Sequence, residues 1–232
     1  MFVILAGARD SAAQALASRA HMSVLTPRDL SLGGWYCRFG SQEPGNAVLG
    51  GEIFPTQSIC GVVTRLPWIS PADLGHVAED DRHYVAAEMH AFLFAWLSKL
   101  RCPLLNRPTP HCLSGPAWRN EHWIHTAARL EIPVRPARRS AVPGVRFQPA
   151  LPTGPIRTVT VVGGKCAGDR STALERYTLA LAAASGCAML SANYQETVDG
   201  LQLLDVNLWP DLANVELQDL VLNHFSDQRP TG

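Results

Sequence analysis

The sequence predicts an α/β fold whose first half is built on a parallel sheet. An apolar run at residues 2–6 is followed by an apolar-periodic helical segment and by a second apolar run at 23–26. This β-α-β order implies parallel strands joined by a right-handed crossover. A further buried strand is predicted over 59–65 from its run of β-branched and small residues.

The first elements have clear boundaries. The helix after the first strand repeats apolar residues over 13–20, and Asp10 or Ser11 is its expected N-cap, since both residue types accept hydrogen bonds from a free helix terminus. Residues 35–39 and 47–54 flank glycine-containing segments and are interpreted as the two strands of a hairpin.

A long helix is predicted from Asp80 to Leu100. A strongly apolar face is expected from residues that recur at helical spacing: Tyr84, Ala87, Glu88, Ala91, Phe92, Ala95, Trp96 and Leu100. A short strand over 103–106 follows, and a second helix is predicted from Ser114 to Leu130, where Pro133 prevents its continuation.

The second half begins with an irregular stretch. Residues 133–157 contain six prolines and five arginines with little periodicity, which indicates a linker. Strands are expected at 158–164, 188–190 and 201–206, with helices at 171–185 and 214–225. We therefore predict five segments: a first domain at 1–113, a connecting helix at 114–132, the linker at 133–157, a second domain at 158–226 and a polar tail at 227–232.

Composition excludes several function classes. The 232 residues carry no formal net charge at pH 7, which argues against nucleic acid as a partner, because phosphate binding needs a basic excess. No segment approaches a membrane span, and no secretory signal is recognised. None of the six cysteines forms a CxxC pair, so we expect reduced thiols and a cytoplasmic protein.

The segment Leu203–Pro210 carries the strongest motif. Its apolar run ends in Asp205, Asn207 and Pro210 in the order Asp-x-Asn-x-x-Pro, which resembles the last metal-binding strand of ATP-grasp ligases. The resemblance implies that Asp205 and Asn207 occupy the positions that hold the Mg²⁺ of MgATP in that family. The upstream metal aspartate of the family falls near Ala192 or Asn193.

Two other regions resemble the same family, specifically the ATP-grasp ligases that modify ribosomal peptides. One joins the strand that ends in Arg65 to a helix containing Tyr84 and Glu88 and then to a segment ending at Pro108. The other is the helix exit at 127–133. The resemblance implies a parallel-sheet pre-ATP-grasp half followed by a reduced ATP-grasp half, in which 133–157 replaces the lid subdomain.

The departures from the family led us to predict a protein without catalytic activity. The chain has only two lysines, Lys99 and Lys165, and neither falls where the family places lysines on the nucleotide phosphates. Asp205 replaces a glutamate and so presents a carboxylate on a shorter side chain. We therefore expect no catalytic residues, no cofactor and no resident metal, with Asp205 and Asn207 as a relic of the metal strand.

A lid-less ATP-grasp scaffold is similar to the peptide-binding proteins of crocagin-type ribosomal-peptide pathways. This resemblance implies a homodimer that binds a precursor peptide by strand addition and presents it to modifying enzymes. The expected peptide-binding residues are aromatic, guanidinium or amide side chains near the substrate face: Arg65, Trp68, Asn106, Trp118, Arg119 and Trp123. For Trp118 and Trp123, structural packing stays open as an alternative.

Other functions remain open at this point. The chain could be a degenerate ATP-grasp ligase, a metal-dependent peptide-modifying enzyme or a structural subunit of an ATP-grasp complex. A metal centre would use His122 and His125 with Cys112 or His111. The glycine segment 163–168 lacks the spacing of a phosphate loop and is interpreted as a turn.

Overall fold

A computed structural model describes residues 1–38, 40, 45–135, 154–198 and 200–228. The chain divides into two compact units. The first contains residues 1–117 together with 211–232, and the second contains residues 118–210. The segment boundaries predicted at 113, 132, 157 and 226 differ from these divisions and stay a prediction. Most of the predicted linker, residues 136–153, lies outside the described residues.

The described residues form ten strands and five α-helices. In chain order they are β1 (Phe2–Leu5), α1 (Ser11–Ala20), β2 (Ser23–Leu25), β3 (Asn46–Leu49), β4 (Glu52–Pro55), β5 (Gly61–Thr64), α2 (Arg82–Lys99), β6 (Leu104–Leu105), α3 (Asn120–Arg129), β7 (Ile156–Val162), β8 (Lys165–Gly168), α4 (Thr172–Ser185), β9 (Met189–Thr197), β10 (Gly200–Asn207) and α5 (Val215–Asp227).

The first unit contains the predicted parallel sheet, in the order β2-β1-β5-β6. Val3 lies opposite Ser23 on one side and Val62 on the other, and Val62 lies opposite Leu104. Because the strands are buried on both faces, they consist almost entirely of apolar residues. Their side chains share a core with Leu93, Trp96 and Leu97 of α2, among others.

Helix α1 begins as its sequence predicts. The Asp10 carboxylate accepts a hydrogen bond from the backbone N–H of Ala13 at 3.0 Å, which satisfies one of the free donors at the helix start. The helix ends at His21, which adopts the left-handed conformation with φ 50°.

The hairpin differs from its prediction. Both of its strands, β3 and β4, lie within residues 46–55, and Gly50 and Gly51 form the turn with φ values of 60° and 86°. Tyr36 contributes only an isolated bridge to Asn46. Two adjacent glycines at positive φ are the usual basis of a tight hairpin turn, so the turn forms at 50–51 and not earlier. Phe39, which ends the predicted first strand, lies outside the described residues.

The predicted apolar face of α2 is rotated from the observed one. Its buried residues are Ala86, Leu93, Trp96 and Leu97, whereas Tyr84 is 69% exposed. Because helix α2 itself carries apolar residues on every side, the spacing of these residues does not specify which face is buried.

The second unit is built on an antiparallel sheet in the order β10-β9-β7-β8, with α3 and α4 packed against it. Helix α3 is shorter than predicted and starts at Asn120. Residues 133–135 lie beside the edge strand β10, where Leu203 donates to the Pro133 carbonyl at 2.7 Å and accepts from Arg135 at 3.1 Å. This part of the edge is therefore already paired.

The last helix, α5, belongs to the first unit. Phe225 stacks on Phe2 with ring centroids 5.1 Å apart. A Cβ atom added at Gly61 would lie 2.6 Å from the Phe225 ring, so only glycine allows this close approach between strand and helix. Within the described residues, none of the helices has the length and apolar character needed to cross a membrane.

Candidate functional site

Arg65 is fixed at the end of β5 by an ion pair with Asp10. Its Nε donates to Asp10 Oδ2 at 2.8 Å, and the two side chains are only 8% and 19% exposed. Burial alone raises the pKa of Asp10. The hydrogen bonds from Arg65 and Ala13 and the charge of Arg65 outweigh burial, so the pKa of Asp10 lies below its ordinary value of 3.8. The guanidinium that sequence reasoning assigned to peptide binding therefore holds the start of α1 against β5.

Asn106 is buried at the end of the neighbouring strand β6, with 1% of its surface exposed. Its backbone N–H donates to the Thr64 hydroxyl at 2.7 Å, and its side-chain amide donates to the Ser114 carbonyl at 3.3 Å. The Thr64 hydroxyl in turn donates toward the Leu105 and Asn106 carbonyls. This network ties together the last residues of β5 and β6.

Trp68 is the exposed member of the predicted set, with 58% of its surface accessible. Buried Leu66 and Ile69 anchor its loop on either side, and Pro67 accepts a backbone hydrogen bond from Leu113 at 2.8 Å. The loop thus holds a large indole in solvent at a defined position. Exposed aromatic side chains on a fixed backbone are typical of binding surfaces.

Two arginines at the same edge of the sheet were missed by sequence reasoning. Arg9 follows β1 and Arg107 follows β6, as Trp68 follows β5, and both arginines are exposed. The carboxyl ends of parallel strands lie at one edge of a sheet, which is where ligands bind in open α/β folds. Their position shortly after predicted strands is the signal that could have identified them.

The second unit contains the other three predicted residues, at the start of α3. Trp118 is half-buried and stacks on His122 with ring centroids 4.1 Å apart and an interplanar angle of 9°. Trp123 is 2% exposed and packs into the core of this unit, 4.7 Å from the Trp118 ring. Arg119 is exposed at the N-cap position.

Strands β9 and β10 place the metal-strand residues on one polar face of the antiparallel sheet. Asp205 lies directly opposite Asn193, and Asn207 lies opposite Ser191. The Asn193 amide donates to Asp205 Oδ1 at 2.7 Å, and its oxygen accepts from the Thr158 hydroxyl at 2.7 Å. Asn193 thus occupies the position facing Asp205 at which the family motif implied an aspartate.

The Asn207 amide closes a local turn at the end of β10. Its oxygen accepts from the Trp209 backbone N–H at 2.8 Å, and its nitrogen donates to the Trp209 carbonyl at 3.1 Å. One lone pair of the amide oxygen is still available. This turn gives Asn207 a structural role that does not depend on a metal.

The oxygen atoms on this face fit a Mg²⁺ ion that arrives with a nucleotide. Asp205 Oδ2 accepts no hydrogen bond from the described residues, and the Asn207 oxygen lies two residues further along the same strand. Mg²⁺ often binds proteins through one or two carboxylates and takes its other ligands from water and phosphates. When bound, such an ion would neutralise phosphate charge; Asp205 and Asn207 would orient it.

The alternative chemical sites have less support. Within the described residues, no group of three or more His, Cys, Asp or Glu side chains could hold a metal ion, so His122 and His125 do not complete a metal centre. Gly163 and Gly164 form the tight turn between β7 and β8, with φ values of 57° and 84°, which confirms the interpretation as a turn. Burial raises the pKa of Cys112 and thus disfavours its thiolate.

Comparisons with known proteins identify the fold. No protein-family model and no curated protein sequence matches the chain. The structure is similar to the macrocyclase MdnC from Microcystis aeruginosa, bound with precursor peptide MdnA, with a TM-score of 0.70, 12% identity and coverage of 98% of this chain and 100% of that chain.

Two further solved structures show the same similarity. A RiPP-associated ATP-grasp ligase from Chryseobacterium gregarium, in complex with ADP and a leader and core peptide, matches with a TM-score of 0.67, 8% identity and coverage of 99% and 97%. The ATP-grasp ligase PsnB, complexed with a variant of its minimal precursor, Mg and ADP, matches with a TM-score of 0.64, 14% identity and coverage of 96% and 98%. The chain therefore has an ATP-grasp-like α/β fold.

These comparisons correct the prediction that the chain is not an enzyme. Three proteins that share its fold along nearly its whole length are a macrocyclase and two ligases, so this fold is one that enzymes have. The prediction relied on the position of the two lysines, the replaced lid and the weakened metal strand, and it was wrong to treat missing lysines as evidence against phosphate binding. The chain has 18 arginines, and a guanidinium binds phosphate at least as well as an ammonium does.

Proposed function

We propose that this protein binds a ribosomally made precursor peptide and acts in an ATP-grasp-type step of its maturation. The proposal is supported by the full-length similarity to ligases described in complex with precursor, leader or core peptides. The observation that carries it is Trp68, an indole that is 58% exposed on a loop fixed by two buried neighbours at the functional edge of a parallel sheet.

The predicted residues take different roles in this proposal. Trp68 presents side-chain surface for peptide binding on the first unit, and Trp118 and Arg119 present such surface on the second unit, each considered by itself. Arg65 and Asn106 hold the strand ends in place through their buried hydrogen bonds. Trp123 supports Trp118 from within the core of the second unit.

Replacement of Trp68 tests this proposal. Fluorescence anisotropy would measure the binding of a labelled precursor peptide, chosen as a short open reading frame beside the gene. We expect W68A to weaken binding at least about tenfold, because exposed aromatic anchors contribute more than about 1.4 kcal/mol. The matched control is Y84A, which removes an aromatic ring from α2 that is 69% exposed and should leave affinity unchanged.

Unchanged binding by W68A, or an equal loss in Y84A, would contradict a role for Trp68. Because both side chains are largely solvent-exposed, neither variant is expected to lower the stability of the fold by more than about 0.5 kcal/mol. Thermal unfolding of both variants checks that point.

A second candidate function is MgATP-dependent ligation at the polar face of β9 and β10. It is favoured by Asp205, whose Oδ2 has no partner among the described residues, and by Asn207 on the same strand. Calorimetric titration with MgADP tests it. We expect saturable binding that is lost in D205N, and no heat at millimolar nucleotide would exclude the function.

The finer parts of the prediction are also proposals. We propose a cytoplasmic homodimer that acts together with other peptide-modifying enzymes, and light scattering at several concentrations tests the dimer. The absence of the lid and the similarity to crocagin-type proteins stay proposals as well, because the segment concerned includes residues 136–153, which lie outside the described residues.

A further inference from the structure

Two cysteines, Cys60 and Cys102, lie just before the paired strands β5 and β6. Val62 is the register partner of Leu104, and its N–H donates to the Pro103 carbonyl at 3.0 Å. Cys60 and Cys102 each precede this pair by two residues, just outside the paired strands, so the register brings the two cysteines near each other. Forty-two positions separate the two cysteines in sequence, so only the pairing of the strands brings them together.

The spacing of neighbouring strands is compatible with a disulfide. Adjacent strands lie about 4.8 Å apart, and the Cα atoms of bonded cysteines lie about 4.4–6.8 Å apart. Both cysteines precede the regular part of their strands. The Cys60 N–H donates to the Met1 carbonyl at 2.8 Å, and the Cys60 sulfur accepts from the Met1 amino group at 3.4 Å. Cys60 is exposed and Cys102 is half-buried, so one thiol is open to a reagent and the other lies behind it.

The electrostatics of the pair agree with this placement. Burial raises the pKa of Cys102 to about 11, and the charge of Cys60 acts in the same direction. The second effect requires the two thiols to be near each other. Among the described residues, the cysteine that lies within a strand, Cys166, is opposite Val161 and not opposite a cysteine.

We propose that Cys60 and Cys102 form an oxidation site that closes to an intrachain disulfide on reaction with a small-molecule disulfide such as oxidised glutathione. The Cys60 thiolate attacks one sulfur of the reagent, which forms a mixed disulfide and releases one glutathione. The Cys102 thiolate then attacks the Cys60 sulfur and releases the second glutathione. Two protein thiols lose their protons and two electrons, and one glutathione disulfide is reduced to two thiols.

The proposed disulfide would join the two strands that lead to the candidate site residues Arg65 and Asn106. The Thr64 hydroxyl already joins the last residues of β5 and β6, where Arg65 and Asn106 follow. A disulfide would join the residues just before the start of the same two strands. Oxidation therefore fixes this strand pair at both ends, and the inference does not depend on the proposed function.

A peptide map of the oxidised full-length protein tests the site. The protein is treated with oxidised glutathione, remaining thiols are alkylated, and the non-reduced protein is digested with trypsin. The sequence places Cys60 alone in peptide 39–65, and Cys102 together with Cys112 in peptide 102–119. We expect a cross-link between these two peptides that dithiothreitol removes.

Three variants give the controls. C60S and C102S should each abolish the cross-link, and C102S should instead accumulate glutathione on Cys60. C112S should retain it, since Cys112 is buried and only shares a peptide with Cys102. The proposal is overturned if wild-type protein carries glutathione on Cys60 without a cross-link, if its thiols stay unmodified, or if C112S alone loses the link.

Discussion

The ion pair between Asp10 and Arg65 gives a stringent test of how the first unit is held together. Replacing Asp10 with Asn removes the charge and keeps the helix cap, because Asn caps helices as well as Asp does. The Arg65 guanidinium then stays in place, 8% exposed, without the carboxylate that now lies 2.8 Å from its Nε.

The expected loss follows from the burial of the pair. Exposed ion pairs contribute about 0.5 kcal/mol, whereas breaking a buried pair costs about 3–5 kcal/mol because a charge is left uncompensated. Because the side chains of Arg65 and Asp10 are 8% and 19% exposed, the pair is closer to the buried case, and we expect D10N to lower the free energy of unfolding by about 3 kcal/mol. D10A should lower the free energy of unfolding by about 1 kcal/mol more than D10N does, because it also removes the helix cap.

Urea unfolding at pH 7, followed by tryptophan fluorescence, measures the difference. The matched control is D219N, which breaks the exposed pair between Asp219 and Arg19, whose side chains are 51% and 38% accessible. The D219N substitution should lower the free energy of unfolding by less than about 1 kcal/mol. An R65Q variant completes a double-mutant cycle, in which the coupling to Asp10 should account for most of the D10N loss.

The pH dependence adds an independent check. Because the pKa of Asp10 is lowered in the folded protein, its contribution is present above the unfolded value and is lost as pH falls through the folded pKa. The gap between wild type and D10N should therefore shrink in acid below pH 3.8. Equal losses in D10N and D219N, or a gap that widens in acid, would refute this reasoning.

Three further predictions follow from particular contacts. G61A should lower the free energy of unfolding by about 1–3 kcal/mol, because its new Cβ would lie 2.6 Å from the Phe225 ring. The control G75A, where nothing lies within 4 Å of the added Cβ, should change that free energy by less than about 0.5 kcal/mol in urea unfolding. N193D should be less stable than wild type in a chelator and gain more in melting temperature from Mg²⁺, because it adds a second carboxylate opposite the first. Burial raises the pKa of Cys102 to about 11. Because the thiolate is the attacking form, the rate at which the mixed disulfide closes should rise about tenfold per pH unit between about pH 7 and 10, as a quenched-flow assay would measure. A rate that does not change with pH would contradict the role of Cys102 as the attacking thiol.

The parts of the fold that were predictable are those set by local signals. The β-α-β opening and the Asp10 cap follow from residue types within a few positions of each other. The buried face of α2 was not predictable, because a helix with apolar residues on every side gives no preferred direction. The antiparallel order of the second sheet depends on pairings between distant strands, which spacing within one segment does not encode.

In the candidate site, too, features set by local sequence were predictable, and features set by long-range packing were not. The motif placed the upstream metal-ligand position near Ala192 or Asn193, and the strand register sets Asn193 opposite Asp205; a role of these residues in metal binding stays a prediction. Residue type alone did not reveal that Asn106 and Trp123 are buried, since amide and indole groups occur both in cores and on surfaces. Likewise, the Cys60 and Cys102 pair arises only from the register of β5 and β6.

Calorimetric titration of the full chain with a precursor peptide encoded beside its gene tests the central claim most directly. Peptide binding of the proposed kind predicts saturable heat with a Kd of about 1 µM or tighter, in the presence and in the absence of MgADP. No saturable heat at peptide concentrations of about 1 mM, with every adjacent short reading frame tried, would contradict the claim that this protein binds a ribosomally made precursor.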